Sequence, residues 1–138
     1  MITPVLIGAM VALSTILLSH VSGFERRTFY TAITLATASY YCLFAVMSGE
    51  MRVLTGESMI ALFFVLLAVL GFKRNISLVA VALLLHALLD ATHGALIANT
   101  GTPAFWPPFC LSFDVTAAAL LFWQIRRSQV DRYARSSS

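Results

Sequence analysis

His86, Asp90 and His93 recur at i, i+4 and i+7 inside a long apolar run. At about 3.6 residues per turn, that spacing sets all three on one face of a helix. Histidine and aspartate together can hold zinc or iron, or carry acid–base chemistry. An ionisable residue inside a membrane helix is costly, and by default it marks a functional site. Three ligands spread over two turns are less compact than a usual single-metal site, so a second helix has to supply a donor. Asp114 is the best placed, and Cys110, one turn before it, is an alternative soft ligand. The predicted metal ligands are therefore His86, Asp90, His93 and Asp114, with zinc or iron as the ion. The predicted catalytic groups are Glu57, Asp90, Asp114 and Tyr41. Haem fits less well, because axial ligation usually needs histidines from opposite helices and these two share one.

These residues need a scaffold, and composition dictates its class. The chain has 138 residues, 59% hydrophobic and 11% charged, with a mean hydropathy of +0.87. Soluble domains carry roughly 25% charged residues, so the expectation is an integral, multi-pass membrane protein. Five runs of about 20 apolar residues predict five spans: 2–21, 29–49, 55–72, 75–98 and 106–123. The third is the shortest. The fold class is an all-α bundle of five transmembrane helices forming one domain over 1–125. A basic, Ser-rich tail over 126–138 is expected to fray beyond a helical extension. No basic segment precedes the first run, which therefore reads as a retained span and not as a cleaved leader.

The net charge of +3 does not point to nucleic acid, because the basic residues are placed as topology signals. Arg26, Arg27, Lys73, Arg74, Arg126, Arg127, Arg132 and Arg135 fall on one side, and Arg52 on the other. The positive-inside rule then puts the N-terminus outside and the C-terminus in the cytoplasm. In a bacterium the membrane would be the inner one. Trp106 and Trp123 stand at opposite ends of the last span, where interfacial aromatics belong. Cys42 and Cys110 lie within spans and form neither a disulfide framework nor a structural zinc spacing.

Depth brings the polar residues together. Counted at 1.5 Å per residue from the basic side, Glu57, His86, Asp90 and Asp114 come out roughly 18–26 Å up. Tyr41 lies at about 21 Å, and His93 one turn higher than the main layer. Agreement across four helices suggests one shared site in the outer half of the bilayer. A buried Tyr41 hydroxyl needs a partner. Glu50 reads as a solvated loop residue and His20 as a helix-end residue far from the layer. The second span carries a polar stripe of Tyr30, Thr34, Thr37, Tyr41 and Ser48, and the first a small-residue stripe of Gly8, Ala12, Thr15, Ser19 and Ser22. Such stripes pack helices closely, with hydroxyls bonding between them. The Gly8–Ala12 and Ala32–Ala36 pairs would also favour a homodimer.

The segment His86-x-x-x-Asp90-x-x-His93-Gly94, followed by Trp106-x-Pro108-x-Cys110-x-x-x-Asp114, resembles a group of short bacterial multi-pass membrane proteins without an established activity. That resemblance spans most of the chain. The His/Asp chemistry is similar to that of alkaline ceramidase-type intramembrane hydrolases, which use zinc on lipid amides. They have seven spans and a third core histidine, which this chain lacks. The His86-x-x-x-Asp90 pair loosely resembles the His-x-x-x-Glu pair of the five-span emopamil-binding sterol isomerases, which move a double bond without metal. Each of these two matches covers one helix and is an analogy.

The leading expectation is a membrane-embedded enzyme acting on a lipid-like or isoprenoid substrate. In its metal form the ion activates water or polarises the substrate, with Glu57 as general base. In its metal-free form Asp90 or Asp114 is the acid and His86 the relay of an isomerase or cyclase. A proton or metal-ion transporter is the second class, and a structural or accessory subunit whose polar layer fixes helix packing is the third.

Overall fold

The computed structural model describes residues 2–136, apart from the side chains of 131–134 and 136. Five helices follow one another: α1 Ile2–Val21, α2 Arg26–Ser48, α3 Met51–Lys73, α4 Ser77–Leu96 and α5 Trp106–Ser136. All five are long and apolar enough to cross a membrane. The protein is an integral, multi-pass membrane protein. Helices are the natural solution, because each satisfies its own backbone polar groups where water is absent.

The ends differ from the apolar runs for local reasons. α2 starts at Arg26, three residues before its run, because Glu25 caps it by accepting from the Arg27 and Thr28 N–H groups. It stops at Ser48 because Gly49 takes the left-handed conformation at φ 72°, a common helix terminator. α3, expected to be the shortest, starts at Met51 and runs 23 residues. α5 runs as one helix from Trp106 to Ser136, past the expected end of its span at 123. The Ser137–Ser138 end of the tail lies outside the described residues.

α4 lies against α5 and α3, α2 packs along α3, and α1 packs along α5. The α1–α5 contact rests on Gly8, where an added Cβ would collide with the Phe109 carbonyl and the Ser112 hydroxyl. Ala12, one turn on, is fully buried in the same seam. The Gly8–Ala12 pair is thus spent inside the protomer, whereas Ala32 and Ala36 face outward. The hydroxyl stripes also work differently from the expectation of bonds between helices. Thr34 donates to the Tyr30 carbonyl, Thr37 to the Thr34 carbonyl and Ser19 to the Ile16 carbonyl, all within their own helices. With no water to serve them, short hydroxyls take the nearest backbone acceptor.

The interior divides along the bundle axis. Toward the Arg26, Lys73 and Arg127 end it is apolar, built on Ala12, Ile16, Val79, Leu83, Ala117 and Leu121. Toward the connections between α2 and α3 and between α4 and α5 it is polar.

Candidate functional site

The polar half starts from α4. His86, Asp90 and His93 are all buried, on the face that packs against the rest of the bundle. From α5, Asp114 enters about 12 Å beyond Trp106 along the helix. Pro107 and Pro108 occupy the first turn of α5, where a missing N–H costs little. His86 Nδ1 and Asp114 Oδ2 lie 2.7 Å apart, a charge-assisted hydrogen bond in geometry. Asp90 Oδ2 stands 3.5 Å from the same nitrogen, and the Cys110 thiol donates to Asp114 Oδ2 at 3.9 Å. Donor atoms of His86, Asp90, Cys110 and Asp114 all lie within 4.8 Å of one another, and all four residues are buried.

Around a tetrahedral zinc, bonds of about 2.0–2.3 Å would set ligand atoms roughly 3.3–3.8 Å apart. Within the quartet the separations run from 2.7 Å between His86 and Asp114, shorter than that range and set by their hydrogen bond, up to 4.8 Å, about an ångström longer, so a bound ion would part the His86–Asp114 pair. The quartet's chemistry suits the same ion: one imidazole, one thiol and two carboxylates are all zinc ligands. His86 Nε2 and Asp114 Oδ1 are buried without a hydrogen-bond partner, and Asp90 Oδ2 has only the 3.5 Å approach to His86 Nδ1. Orphaned polar atoms in such a place call for a ligand or a functional reason.

His93 falls outside the quartet. Seven residues from His86 along α4 is a rise of about 10 Å, too far to share one ion without a large bend. Its Nε2 instead meets Glu57 Oε1 of α3 at 2.8 Å. Glu57 is 1% exposed, and its Oε2 has no partner. Asn99, from the chain after α4, donates from Nδ2 to Glu57 Oε1 at 2.9 Å and to the Tyr41 carbonyl at 3.2 Å.

Tyr41 of α2 bridges the two groups. Its hydroxyl donates to Asp90 Oδ1 at 2.6 Å, and its ring stacks on His93. Phe64 packs edge-on against His86 at 5.0 Å between centroids and closes that side with hydrocarbon. Trp106, with Tyr40, Phe44 and Phe109, forms an aromatic group at the mouth of α5.

Tyr41, Glu57, His86, Asp90, His93 and Asp114 thus belong to one buried network from four helices, but as two sets and not as a single shell. Cys110 enters the metal-competent set where His93 does not. Asn99 was missed by sequence reasoning. An amide next to the Gly101-x-Pro103 loop reads as a turn residue, and nothing in its spacing says that it turns inward. Among the described residues, the ion-pair partners of Glu57, Asp90 and Asp114 are histidines. Three carboxyls against two imidazoles leave an excess of negative charge if all five ionise. Burying such charge is expensive unless protons or a cation neutralise it.

No protein-family model, curated protein or solved structure matches this chain. Function has to be read from the site itself.

Proposed function

We propose that the protein is a membrane-embedded enzyme acting on a lipid-like or isoprenoid substrate at a site that holds zinc or iron. The observation that carries this reading is the convergence of His86, Asp90, Cys110 and Asp114 donor atoms within 4.8 Å in a buried, membrane-spanning bundle. A bound ion would polarise a substrate oxygen or activate water. Glu57, held through Oε1 by His93 and Asn99 with Oε2 uncommitted, is the general base. Tyr41 acts through Asp90, whose carboxylate it orients. The chemical likeness to zinc-dependent intramembrane amidases makes lipid amides a first substrate class to assay. The positive-inside rule places the site in the outer half of the bilayer, with the C-terminus in the cytoplasm.

The hydrogen bond from Tyr41 to Asp90 and the His93–Glu57 pair support a second reading, in which a metal-free acid–base isomerase or cyclase moves protons along these contacts. The fully buried apolar core of Val79, Leu83, Ala117 and Leu121 favours either enzyme over a transporter, since it lies between the polar half and the basic end.

Elemental analysis of detergent-purified protein tests the metal reading. Near-stoichiometric zinc or iron in wild type, lost in His86→Ala and Asp114→Ala, is the expected result. A folded wild type that takes up neither metal on reconstitution would overturn it and leave proton-transfer chemistry. Asp90→Asn or Asp114→Asn variants that lose stability alone, in a protein with no metal and no turnover, would mark a structural subunit.

A further inference from the structure

The other end of the bundle carries a separate feature. A groove of about 820 Å³ runs between α1 and α5, next to the start of α2. Leu13 and Leu17 of α1 and Leu120 of α5 form its walls. Its mouth is basic. Arg26 donates from Nη1 to the Gln124 carbonyl at 3.2 Å and to the Ser128 hydroxyl at 3.1 Å, which pins its guanidinium at the rim. The Arg127 guanidinium stands over the Trp123 ring, 5.4 Å from its centroid. Glu25 also lines the groove, but its two oxygens accept from the Arg27 and Thr28 N–H groups and from the Thr28 hydroxyl. Its charge is thereby directed at the start of α2.

We infer that this groove binds one anionic glycerophospholipid, with the phosphate between Arg26 and Arg127 and an acyl chain along Leu13, Leu17 and Leu120. Two observations select that occupant. Arginine is the side chain best shaped for phosphate oxygens, and here one guanidinium is fixed in advance by the protein. The walls below are hydrocarbon, and the arginines and Trp123 mark the level where lipid headgroups lie. A free phosphate would use the mouth and leave the walls unfilled. Basic pockets between helices are a recurrent form of headgroup recognition. The inference is independent of the polar site and of the reaction proposed for it.

The test reads Trp123 fluorescence in a Trp106→Phe background, in uncharged detergent. Phosphatidylglycerol and phosphatidylcholine, both brominated on the acyl chain, are titrated separately. Phosphatidylglycerol should reach half-quenching at a concentration about fivefold lower or better, the preference expected from one well-placed arginine. Arg127→Gln should lower that preference by about fivefold, whereas Arg52→Gln, at the opposite end of the bundle, should leave the preference unchanged. Equal quenching by the two lipids in the parent, or equal loss in both arginine variants, would overturn the inference. So would displacement of phosphatidylglycerol by inorganic phosphate beyond that seen with chloride at the same ionic strength, which would indicate a simple anion site. If Trp106→Phe does not fold, native mass spectrometry of the unaltered chain compares phosphatidylglycerol with phosphatidylcholine adducts. A clear excess of the former supports the inference, and parity overturns it.

Discussion

The Tyr41 phenol lies nearly flat on the His93 imidazole, with centroids 3.8 Å apart and planes at 14°. The Tyr41 hydroxyl reaches Asp90, and His93 reaches Glu57, so this one stack joins the two polar sets. Tyr41→Phe keeps the stack and removes the donor to Asp90. It should cost about 1–3 kcal/mol, the penalty for a buried acceptor left unpaired. Tyr41→Ala also removes the ring and should cost clearly more. Thermal unfolding in detergent would compare the two, and equal losses would contradict the joining role of the ring.

The two sets should separate under metal competition. His86→Gln and Cys110→Ser should each weaken zinc or iron binding at least tenfold against a chelator, a lower bound taken from losses of merely supporting residues. His93→Gln should keep the metal and lose turnover, because it releases Glu57. A His93→Gln protein that loses metal as readily as His86→Gln would return His93 to the ligand set.

Gly101 permits Asn99 to turn inward. A Cβ at Gly101 would strike the Phe44 carbonyl oxygen and crowd the Ser48 backbone nitrogen. Gly101→Ala should therefore lift the loop off α2 and withdraw Asn99 from Glu57. A cost of about 1–3 kcal/mol is expected, as for other overpacked sites. Asn99→Ala and Gly101→Ala should be non-additive when combined, because both lose the same contacts. Additive losses in a double-mutant cycle would show that the loop and the amide act separately.

Glu25 lies outside the spans and titrates in a readable range. Its hydrogen bonds to the Thr28 hydroxyl and N–H hold the carboxyl below its ordinary value of 4.5. The folded value is the depressed one, so its stabilisation is complete above about pH 4.5 and fades as pH falls through the lower folded value. The group is exposed, and the effect should be small. The melting temperature of Glu25→Gln should lie below that of wild type at neutral pH, and the gap should close under acid conditions. A gap that persists unchanged at the lowest pH would exclude this cap as its source.

Much of the architecture was legible because hydrophobicity acts along the chain. Runs of apolar residues near 20 long announce spans, and the basic pairs at 26–27, 73–74 and 126–127 announce one common end. The depth count that gathered Tyr41, Glu57, His86, Asp90 and Asp114 needed only the helical rise. Helix ends were harder to place: the Glu25 cap and the turn at Gly49 decide where α2 begins and ends, and both are local backbone events that hydropathy does not register. The Gly8–Ala12 pair was visible as a close-packing surface, but its partner was not. The pattern suits a second copy as well as α5, and the choice depends on how the helices are arranged.

The sequence by itself determined the class of protein, the number of apolar spans and the polar residues that share a helical face or a depth, since each of these follows from composition and a fixed rise per residue. Only the tertiary structure decided which of those residues meet. It set Cys110 with His86, Asp90 and Asp114, sent His93 to Glu57 and brought Asn99 in from a loop. The physical reason is that such contacts depend on helix rotation and crossing. These are set by where Gly8 and Gly101 let backbones approach and by packing summed over the whole bundle, and no single segment encodes them.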